Sequence, residues 1–303
     1  MNEPNRREFL GLATAGGLAL TGCGKSDGLT EKSAGKNQIL NLYDNIVYES
    51  GDAIPDWGFS AYITFNGKTI LFDAGTFPGI LEHNAGVFGT DLASVETAVL
   101  SHNHGDHIGG FDYLLKINPD FKLLLPNDSS LGETSELNAA MDKKLTSGYL
   151  FRHSNTEFVS EHKEIATGIN LITTTSPIVG TLWGYPPYDK EPRFFGLPEL
   201  SLALENEDGQ VTLISGCSHS KIEEIVKETK QHLKKEVNLV IGGFHHSPYS
   251  SEYVTSIAKM MKDELGVEKI ACSHCTGEEA VKIFQDIYKG NFRNSGLGSR
   301  LPL

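Results

Sequence analysis

Apolar and polar residues alternate most regularly on either side of Asn66 and Gly67, where the flanking runs are SAYITF and KTILFD. This arrangement is typical of a β-hairpin, because Asn and Gly both tolerate the positive φ angles of a type I′ turn. A second hairpin is predicted where residues 200–205 and 211–215 flank a polar turn. The folded part of the chain, whose first β-rich segment is 38–47, therefore begins as antiparallel sheet.

Farther along the chain, segments with the pattern of a strand are followed by segments with the pattern of a helix. In the helical segments the apolar residues recur every three or four positions and share one face. The strand and helix pairs are 95–101 with 108–117, 211–215 with 220–235, 237–241 with 252–265, and 269–272 with 276–289. Capping boxes are predicted for two helices, formed by Ser220 with Glu223 and by Thr276 with Glu279. This alternation beside early hairpins predicts an α/β fold in which two mixed β-sheets are sandwiched between helices.

The composition is that of a folded, acidic protein. Of the 303 residues, 39% are hydrophobic, which is enough to bury a substantial core and argues against disorder. The formal net charge of −13 argues against a protein that binds nucleic acid by neutralising its phosphates. Because no run of about 18 apolar residues occurs, no membrane-spanning helix is predicted for the mature chain.

The first residues have the features of an export signal. Arg6 and Arg7 precede a weakly apolar run that ends in Leu20-Thr21-Gly22-Cys23. This resembles a bacterial twin-arginine signal that ends in a lipobox, where a signal peptidase cuts before a cysteine that receives lipid. The resemblance implies a lipid anchor at Cys23 and an exported, membrane-anchored lipoprotein in the periplasm or on the outer cell surface. It divides the chain into a signal peptide, a flexible tether and one domain, at 1–22, 23–37 and 38–303.

Histidines are concentrated at the ends of the predicted strands. Seven of the eleven histidines follow four strands, in the stretches 102–107, 217–219, 244–246 and 273–274. In sheets with helical crossovers, ligands gather beyond the carboxyl ends of the strands, where the connecting loops converge. We therefore expect all four stretches to face one cleft.

The stretch His102-Asn103-His104-Gly105-Asp106-His107 has the spacing of a metal site. His102 and His104 are two residues apart in an extended segment, so their side chains project to one side and can bind one cation. Asp106 and His107 lie a turn farther on and can bind a neighbouring cation. Imidazole nitrogens with a single carboxylate suit Zn²⁺, and Fe or Mn are open alternatives.

With these motifs the chain resembles the metallo-β-lactamase superfamily of metal-dependent hydrolases. The superfamily signature His-x-His-x-Asp-His is matched by 102–107, its upstream aspartate by Asp73 in Leu-Phe-Asp-Ala-Gly, and its last histidine ligand by His274. The resemblance covers 38–303 and implies the αββα metallo-β-lactamase fold with a site for two zinc ions.

A narrower resemblance is to the subgroup named after a dihydropterin-ribosyl-aminobenzene-phosphate synthase. The matching motifs are Gly-Cys-Ser-His at 216–219, Gly-Gly-Phe-His at 242–245, Ser-His-Cys-Thr-Gly at 273–277 and Gly-x-Gly at 296–298. This resemblance implies the fold and the metal site, and it leaves the substrate open.

The resemblance also implies how the ligands are shared between two sites. The first site is expected to contain His102, His104 and His219, and the second Asp106, His107 and His274. One departure from the superfamily pattern is Cys217, which stands near the position where a bridging aspartate is usual. Cys217 either bridges the two ions as a thiolate or packs beside them.

Three residues are expected to take part in catalysis. Asp73 is expected to orient the ligands or the nucleophile through hydrogen bonds, without binding the metal. Asp106 is expected to act at the metal itself. His245 is expected to orient the substrate or to stabilise a developing oxyanion. Cys272 and Cys275 are predicted to be structural, with a disulfide left open.

These features predict a hydrolase in which two cations, or one cation with a loosely held second, activate water to attack a small-molecule ester, lactam or phosphoester. Two alternatives are a non-haem iron oxidoreductase and an exported protein that binds metal or another ligand without turnover. Against iron, the superfamily's diiron proteins usually replace one cluster histidine with an acid, and this chain keeps all of them. The segment 177–198, rich in Gly, Pro and aromatic residues, either covers the substrate or packs its own side chains. The sequence does not fix the oligomeric state.

Overall fold

The computed structural model describes residues 37–128, 153–176 and 197–303, which belong to one compact unit. The described strands are β1 (Gln38–Tyr43), β2 (Ser60–Phe65), β3 (Lys68–Phe72), β4 (Thr97–Val99), β5 (Lys122–Pro126), β6 (Thr156–Val159), β7 (Lys163–Ala166), β8 (Ile169–Ser176), β9 (Leu197–Glu205), β10 (Val211–Ser215), β11 (Val237–Gly243), β12 (Lys269–Ser273) and β13 (Arg300–Pro302). The described helices are α1 (Pro78–Val87), α2 (Gly105–Ile108), α3 (Phe111–Ile117), α4 (Ile222–Leu233), α5 (Ser251–Lys259) and α6 (Glu278–Tyr288). Helix α5 continues into a π-helical turn at Met260–Glu264.

The strands of these ranges form two sheets. The first sheet has the order β13-β1-β2-β3-β4-β5-β6, and the second has the order β12-β11-β10-β9-β8-β7. In the first sheet, β1 to β3 pair antiparallel and β3 to β6 pair parallel. In the second sheet, β7 to β10 pair antiparallel and β10 to β12 pair parallel. Both sheets are therefore mixed, as predicted.

Three apolar clusters define the layers of the fold. The cluster between the sheets combines residues of the first sheet, such as Ile63 and Phe72, with residues of the second, such as Leu202 and Ile214. A second cluster joins the outer face of the second sheet to α4, α5 and α6. A third joins the outer face of the first sheet to α1 and α3. The predicted αββα sandwich is confirmed.

Both predicted hairpins are present. Asn66 and Gly67 adopt φ angles of +48° and +74°, and Phe65 pairs with Lys68 across the turn. Strands β9 and β10 form the second hairpin. The polar turn residues therefore set the register of both hairpins, as the sequence pattern indicates.

The predicted helix 108–117 is instead two short helices that meet at Gly109 and Gly110. A Cβ atom on Gly109 would lie 1.8 Å from the carbonyl oxygen of Thr76, and one on Gly110 would lie 1.9 Å from that of Ala74. The two glycines thus let this segment pack against the loop that follows β3. The predicted strand 95–101 is also shorter than expected and is limited to β4.

Both predicted capping boxes are wrong. Lys221 and Gly277 occupy the N-cap positions of α4 and α6, and neither makes a side-chain cap. The backbone N–H of Ser220 donates to Glu199 at 2.6 Å, and the hydroxyl of Thr276 accepts from a backbone N–H outside α6. Tertiary partners therefore replace the local caps.

Three predictions fall wholly or mainly outside the described residues: the signal peptide, the tether, and the loop at 177–198. Within 37–128, 153–176 and 197–303, no helix has both the length and the apolar character needed to cross a membrane.

Candidate metal centre

Side chains from four strand ends meet in one cluster. The loop after β4 contributes three histidines, and the loops after β10, β11 and β12 contribute one each: His102, His104, His107, His219, His245 and His274. Neighbouring imidazole rings in this cluster have centroid separations of 4.3 to 5.2 Å. The structure thus places the predicted residues in one common site.

The residues expected in the first site form one group. Donor atoms of His102, His104 and His219 lie within 4.8 Å of one another. His102 Nε2 is 3.1 Å from His104 Nδ1. His102 and His219 are buried, whereas His104 is partly exposed, so this group is open on the side of His104.

The residues expected in the second site form an adjoining group. Asp106 Oδ2 lies 3.6 Å from His107 Nε2 and 3.4 Å from His274 Nε2. Both histidine side chains are fully buried, while 19% of the Asp106 side chain is exposed. Asp106 therefore forms the open side of the second group.

Cys217 lies between the two groups. Its Sγ is 3.1 Å from His107 Nε2. The same sulfur lies within 4.8 Å of donor atoms of His102 and His107, and also within 4.8 Å of donor atoms of His219 and His245. A thiolate here contacts residues of both groups, which suits a bridge. The bridging role stays a prediction.

Asp73 lies behind the cluster and holds one histidine of each group. Its carboxylate accepts hydrogen bonds from Ser101 N and Ser101 Oγ, both at 2.7 Å, and lies 2.7 Å from His107 Nδ1. Ser101 Oγ also lies 2.8 Å from His102 Nδ1. Asp73 is fully buried. It therefore orients His107 directly and His102 through Ser101.

His274 is held by two residues that belong to no sequence motif. Asn45 Oδ1 lies 2.8 Å from His274 Nδ1, and Asp44 Oδ1 accepts a hydrogen bond from the backbone N–H of His274 at 3.1 Å. His274 adopts φ of +50°, so this backbone contact stabilises an uncommon conformation. Burial raises the pKa of Asp44 to about 6. No motif marks these two residues, because they approach His274 from a distant part of the sequence.

The loop 44–49, which carries Asp44 and Asn45, is held by the segment 295–299. Leu297 N donates to the carbonyl oxygen of Ile46 at 2.8 Å. A Cβ atom on residue 298 would lie 1.8 Å from a carbonyl oxygen of the same loop, so the contact requires glycine there. The Gly-x-Gly motif thus supports the surroundings of His274 indirectly.

His219 is fixed by a buried glutamate, which also lies outside the sequence motifs. Glu199 on β9 accepts hydrogen bonds from His219 N at 2.8 Å and Ser220 N at 2.6 Å. Burial raises the pKa of Glu199, although these two N–H donors oppose the rise. An acidic residue within an apolar strand, LPELSLALE, was the signal that could have identified it.

His245 and His246 face different surroundings. The ring of His245 is 4.3 Å from that of His219, at the metal cluster. The ring of His246 stacks on Phe284 of α6, with centroids 5.7 Å apart. His245 therefore lines the candidate site while His246 packs in the helical layer. The catalytic role of His245 stays a prediction.

The net pKa shifts of the histidines have opposite signs in the first group and at His107 of the second. Burial and the neighbouring histidines lower the pKa of His102 and His219 well below the usual value, and burial above all lowers that of His104 to about 4. Burial also lowers the pKa of His107, but the carboxylates of Asp73 and Asp106 outweigh it and raise this pKa to about 9. The first group is therefore neutral imidazole, the form that binds metal.

The cluster fits a bound metal by the orientation and chemistry of its donors. His102, His107 and His274 each have Nδ1 within 2.8 Å of a polar side chain, which directs Nε2 towards the other donors. Metal-ligating histidines are fixed in this way by a second residue. Imidazole, carboxylate and thiol together suit Zn²⁺ better than Mg²⁺ or Ca²⁺, which prefer oxygen ligands.

The metal-free protein is expected to lose stability as the pH falls from about 6.5 to about 4. Unfolded His104 takes up a proton near its ordinary pKa of 6.5, whereas folded His104 takes it up near pH 4. The unfolded state binds more protons in this window, so the free energy of unfolding decreases as the pH decreases. Urea unfolding of the chelated protein at several pH values measures the slope. His104→Gln should flatten the slope, and an unchanged slope would contradict the assignment.

Asn45→Ala is expected to weaken metal binding in the second group by about 10- to 100-fold, because His274 loses the partner of its Nδ1. Zinc competition against a chromophoric chelator measures the affinity. Asn45→Asp, which keeps an acceptor oxygen, is the matched control and should bind more tightly than Asn45→Ala. Equal affinities of Asn45→Ala and the wild type would show that this contact does not position His274.

This chain combines an αββα sandwich with histidines and an aspartate that are grouped at the strand ends. Together, the fold and the donor groups place it in a class of metal-binding proteins. The chain belongs to the metallo-β-lactamase superfamily, whose sequence model matches residues 56–229. The superfamily expected from the sequence motifs is therefore confirmed.

Two relatives from Methanocaldococcus jannaschii cover most of the chain. One is 7,8-dihydropterin-6-methyl-4-(β-D-ribofuranosyl)-aminobenzene-5′-phosphate synthase, 28% identical over an alignment of 292 positions that covers 87% of this chain and 97% of the relative. The other is an uncharacterised protein, 30% identical over an alignment of 256 positions that covers 80% of this chain and 92% of the relative. At 28% identity, this chain is a distant relative of the synthase.

Among solved structures, the fold is similar to that of Tm1679, described as a metal-dependent hydrolase of the β-lactamase superfamily. The TM-score is 0.66 at 24% identity, over 88% of this chain and 99% of that chain. At this level of identity the likeness supports the fold.

Proposed function

We propose that the protein is an exported metal-dependent hydrolase that acts on a small ester-, lactam- or phosphoester-type substrate. The observation that carries the proposal is the pair of adjoining donor groups, which are buried except at His104 and Asp106. Paired metal positions suit hydrolysis, because one position can bind the substrate while the other binds water. A substrate that approaches from the side of His104 and Asp106 reaches both groups.

Zn²⁺ fits these donors, with Fe or Mn as alternatives. The first ion would be held by His102, His104 and His219, and the second by Asp106, His107 and His274, with Cys217 between them. When bound, the metal supplies Lewis acidity, which lowers the pKa of water towards neutrality and polarises a carbonyl or phosphoryl oxygen.

The side chains of the protein contribute orientation and charge. Burial opposes ionisation of Asp106, but His107 and His274 hold the pKa of its carboxyl well below the usual range, so it stays ionised. Its exposed part can accept a hydrogen bond from the attacking water and orient it. Asp73 keeps His102 and His107 in place, and His245 can donate to a negative charge that develops on the substrate.

A second candidate function is a synthase reaction. The observation that favours it is the 28% identity with the M. jannaschii synthase over 87% of this chain. A synthase joins two organic molecules, whereas a hydrolase transfers a group to water. The two candidates therefore differ in the products that they release.

Metal analysis followed by a substrate panel tests the proposal. Protein purified without added metal is expected to contain zinc and to hydrolyse at least one of a phosphodiester, an ester, a lactone and a lactam. Chelation should abolish the activity and zinc should restore it. His83→Ala, which removes an exposed histidine outside the cluster, is the control and should behave like the wild type.

Three other outcomes would overturn the proposed hydrolase function. Bound iron with redox turnover would support the oxidoreductase, and a product that joins two organic molecules would support the synthase. Full metal content without turnover on any class would support a binding protein.

We also propose that the protein is anchored to the membrane by lipid at Cys23. The support is the Arg6-Arg7 pair and the Leu-Thr-Gly-Cys sequence that ends at residue 23. Cys23→Ala is expected to shift the protein from the membrane fraction to the soluble fraction. Ser26→Ala, also in the tether, is the control. Cys23→Ala protein that stays with the membrane would rule out the lipid anchor.

A further inference from the structure

Cys275 belongs to a third group of donor atoms, which superfamily motifs do not assign. Its Sγ, the Sγ of Cys217 and a ring nitrogen of His274 all lie within 4.8 Å of one another. All three side chains are at least 97% buried. Neither cysteine forms a disulfide, so both sulfurs are available as ligands.

The backbone brings the Cys275 sulfur to the cluster through a close approach. Cys275 follows His274 in a 3-10 turn after β12. A Cβ atom on Gly243, at the end of β11, would lie 2.6 Å from Cys275 Sγ and 2.4 Å from the carbonyl oxygen of Gly216. The sulfur therefore occupies space that only glycine leaves free. Cys275 Sγ is also 3.7 Å from the carbonyl oxygen of Cys217.

Cys272 provides the contrast within the same motif. It is equally buried, but it packs in the apolar cluster between the second sheet and helices α4 to α6. Within the described ranges it belongs to no group of donor atoms. The two cysteines that flank His274 therefore have different surroundings: one is in the core and the other is at the metal cluster.

We propose that Cys275 is a metal ligand and that Cys217, His274 and Cys275 form a two-sulfur, one-nitrogen site for a soft divalent cation such as Zn²⁺ or Cd²⁺. Thiolates favour such cations over Mn²⁺ or Mg²⁺. His274 also belongs to the group with Asp106. A cation at the sulfurs keeps His274 and takes two thiolates in place of Asp106 and His107. Each thiol loses its proton to solvent when it binds.

Cobalt substitution tests the proposal without any substrate. All proteins carry Cys23→Ser, so that the remaining thiols are those of residues 217, 272 and 275. The metal-free chain is loaded with Co²⁺ alone, and the thiolate-to-cobalt charge-transfer absorbance in the near ultraviolet is divided by the cobalt bound. Cys275→Ser removes one sulfur–cobalt bond. The ratio is therefore expected to fall by about one half if Cys217 binds one ion, and by about one third if Cys217 bridges two. Cys272→Ser is the matched control and should leave it unchanged.

Cys275→Ser with the full wild-type ratio would overturn the proposal, and so would an equal loss in Cys272→Ser. The cadmium-113 NMR spectrum of the cadmium-loaded protein provides a test that does not depend on how Cys275→Ser folds. A cadmium signal in the range typical of two thiolate ligands supports the site. Signals confined to the range of one thiolate or none would contradict it. Both readouts are independent of hydrolysis, so failure of the proposed reaction leaves this test intact.

Discussion

His102→Ala is expected to bind about one metal ion fewer than the wild type and to lose hydrolytic activity by more than about 100-fold. Removal of an outer partner of a metal ligand already costs about 10- to 100-fold, and removal of a ligand itself costs more. The effect is large at His102 because this residue belongs to two donor groups, one with His104 and His219 and one with His107 and Cys217. Elemental analysis and steady-state hydrolysis measure the two effects.

The control for this substitution is again His83→Ala, which removes a histidine from the exposed surface of α1. It should retain full metal content and activity. If His102→Ala kept the metal content of the wild type, the assignment of the first group would be wrong, whatever happened to the activity. A loss of activity with full metal content would instead give His102 a role in binding substrate.

Asp73→Asn is the second substitution with a large expected effect, a decrease of about 10- to 100-fold in metal affinity. Asparagine has nearly the same size and also tolerates the φ angle of +57° found at Asp73, so the backbone can be retained. The amide lacks the negative charge beside His107 and offers one acceptor oxygen where Ser101 donates to two. Zinc competition measures the affinity, and Asp120→Asn on the surface is the control.

The same substitution should change how the stability of the metal-free protein depends on pH. Folded His107 has a pKa raised to about 9 from the ordinary 6.5, chiefly because Asp73 and Asp106 outweigh the effect of burial. The folded state therefore keeps a proton that the unfolded state releases. The resulting stability is complete below about pH 6.5 and is lost as the pH rises towards 9. Asp73→Asn should flatten this slope, and an unchanged slope would separate Asp73 from the protonation of His107.

Local sequence patterns predicted the parts of the fold that depend on neighbouring residues. The prediction of a hairpin at Asn66-Gly67 is confirmed, because the geometry of this turn depends on the turn residues themselves. The grouping of 102–107 with the later strand ends also followed from a general property of sheets with helical crossovers. The layers of the sandwich could likewise be predicted without knowledge of individual contacts, because they follow from the alternation of strands and helices beside the early hairpins.

The errors and omissions arise where distant residues compete with local ones. Ser220 satisfies the pattern of a capping box, yet its backbone N–H binds Glu199, which lies on another strand. Asn45 and Asp44 belong to no metal motif and contact His274 only because the chain folds back through more than 200 residues. Contacts at such separation depend on the complete fold, so a linear motif could not indicate them.

The contact between loop 44–49 and segment 295–299 makes the two ends of the domain thermodynamically dependent on each other. β1 pairs with β13 at the edge of the first sheet, and the adjoining loop holds His274 through Asn45. Fraying of either end is therefore expected to remove the partner of His274 Nδ1, and a cation bound to the second group is expected to oppose fraying at both ends. In hydrogen-exchange terms, β1 and β13 are expected to behave as one cooperative unit whose protection increases when metal binds.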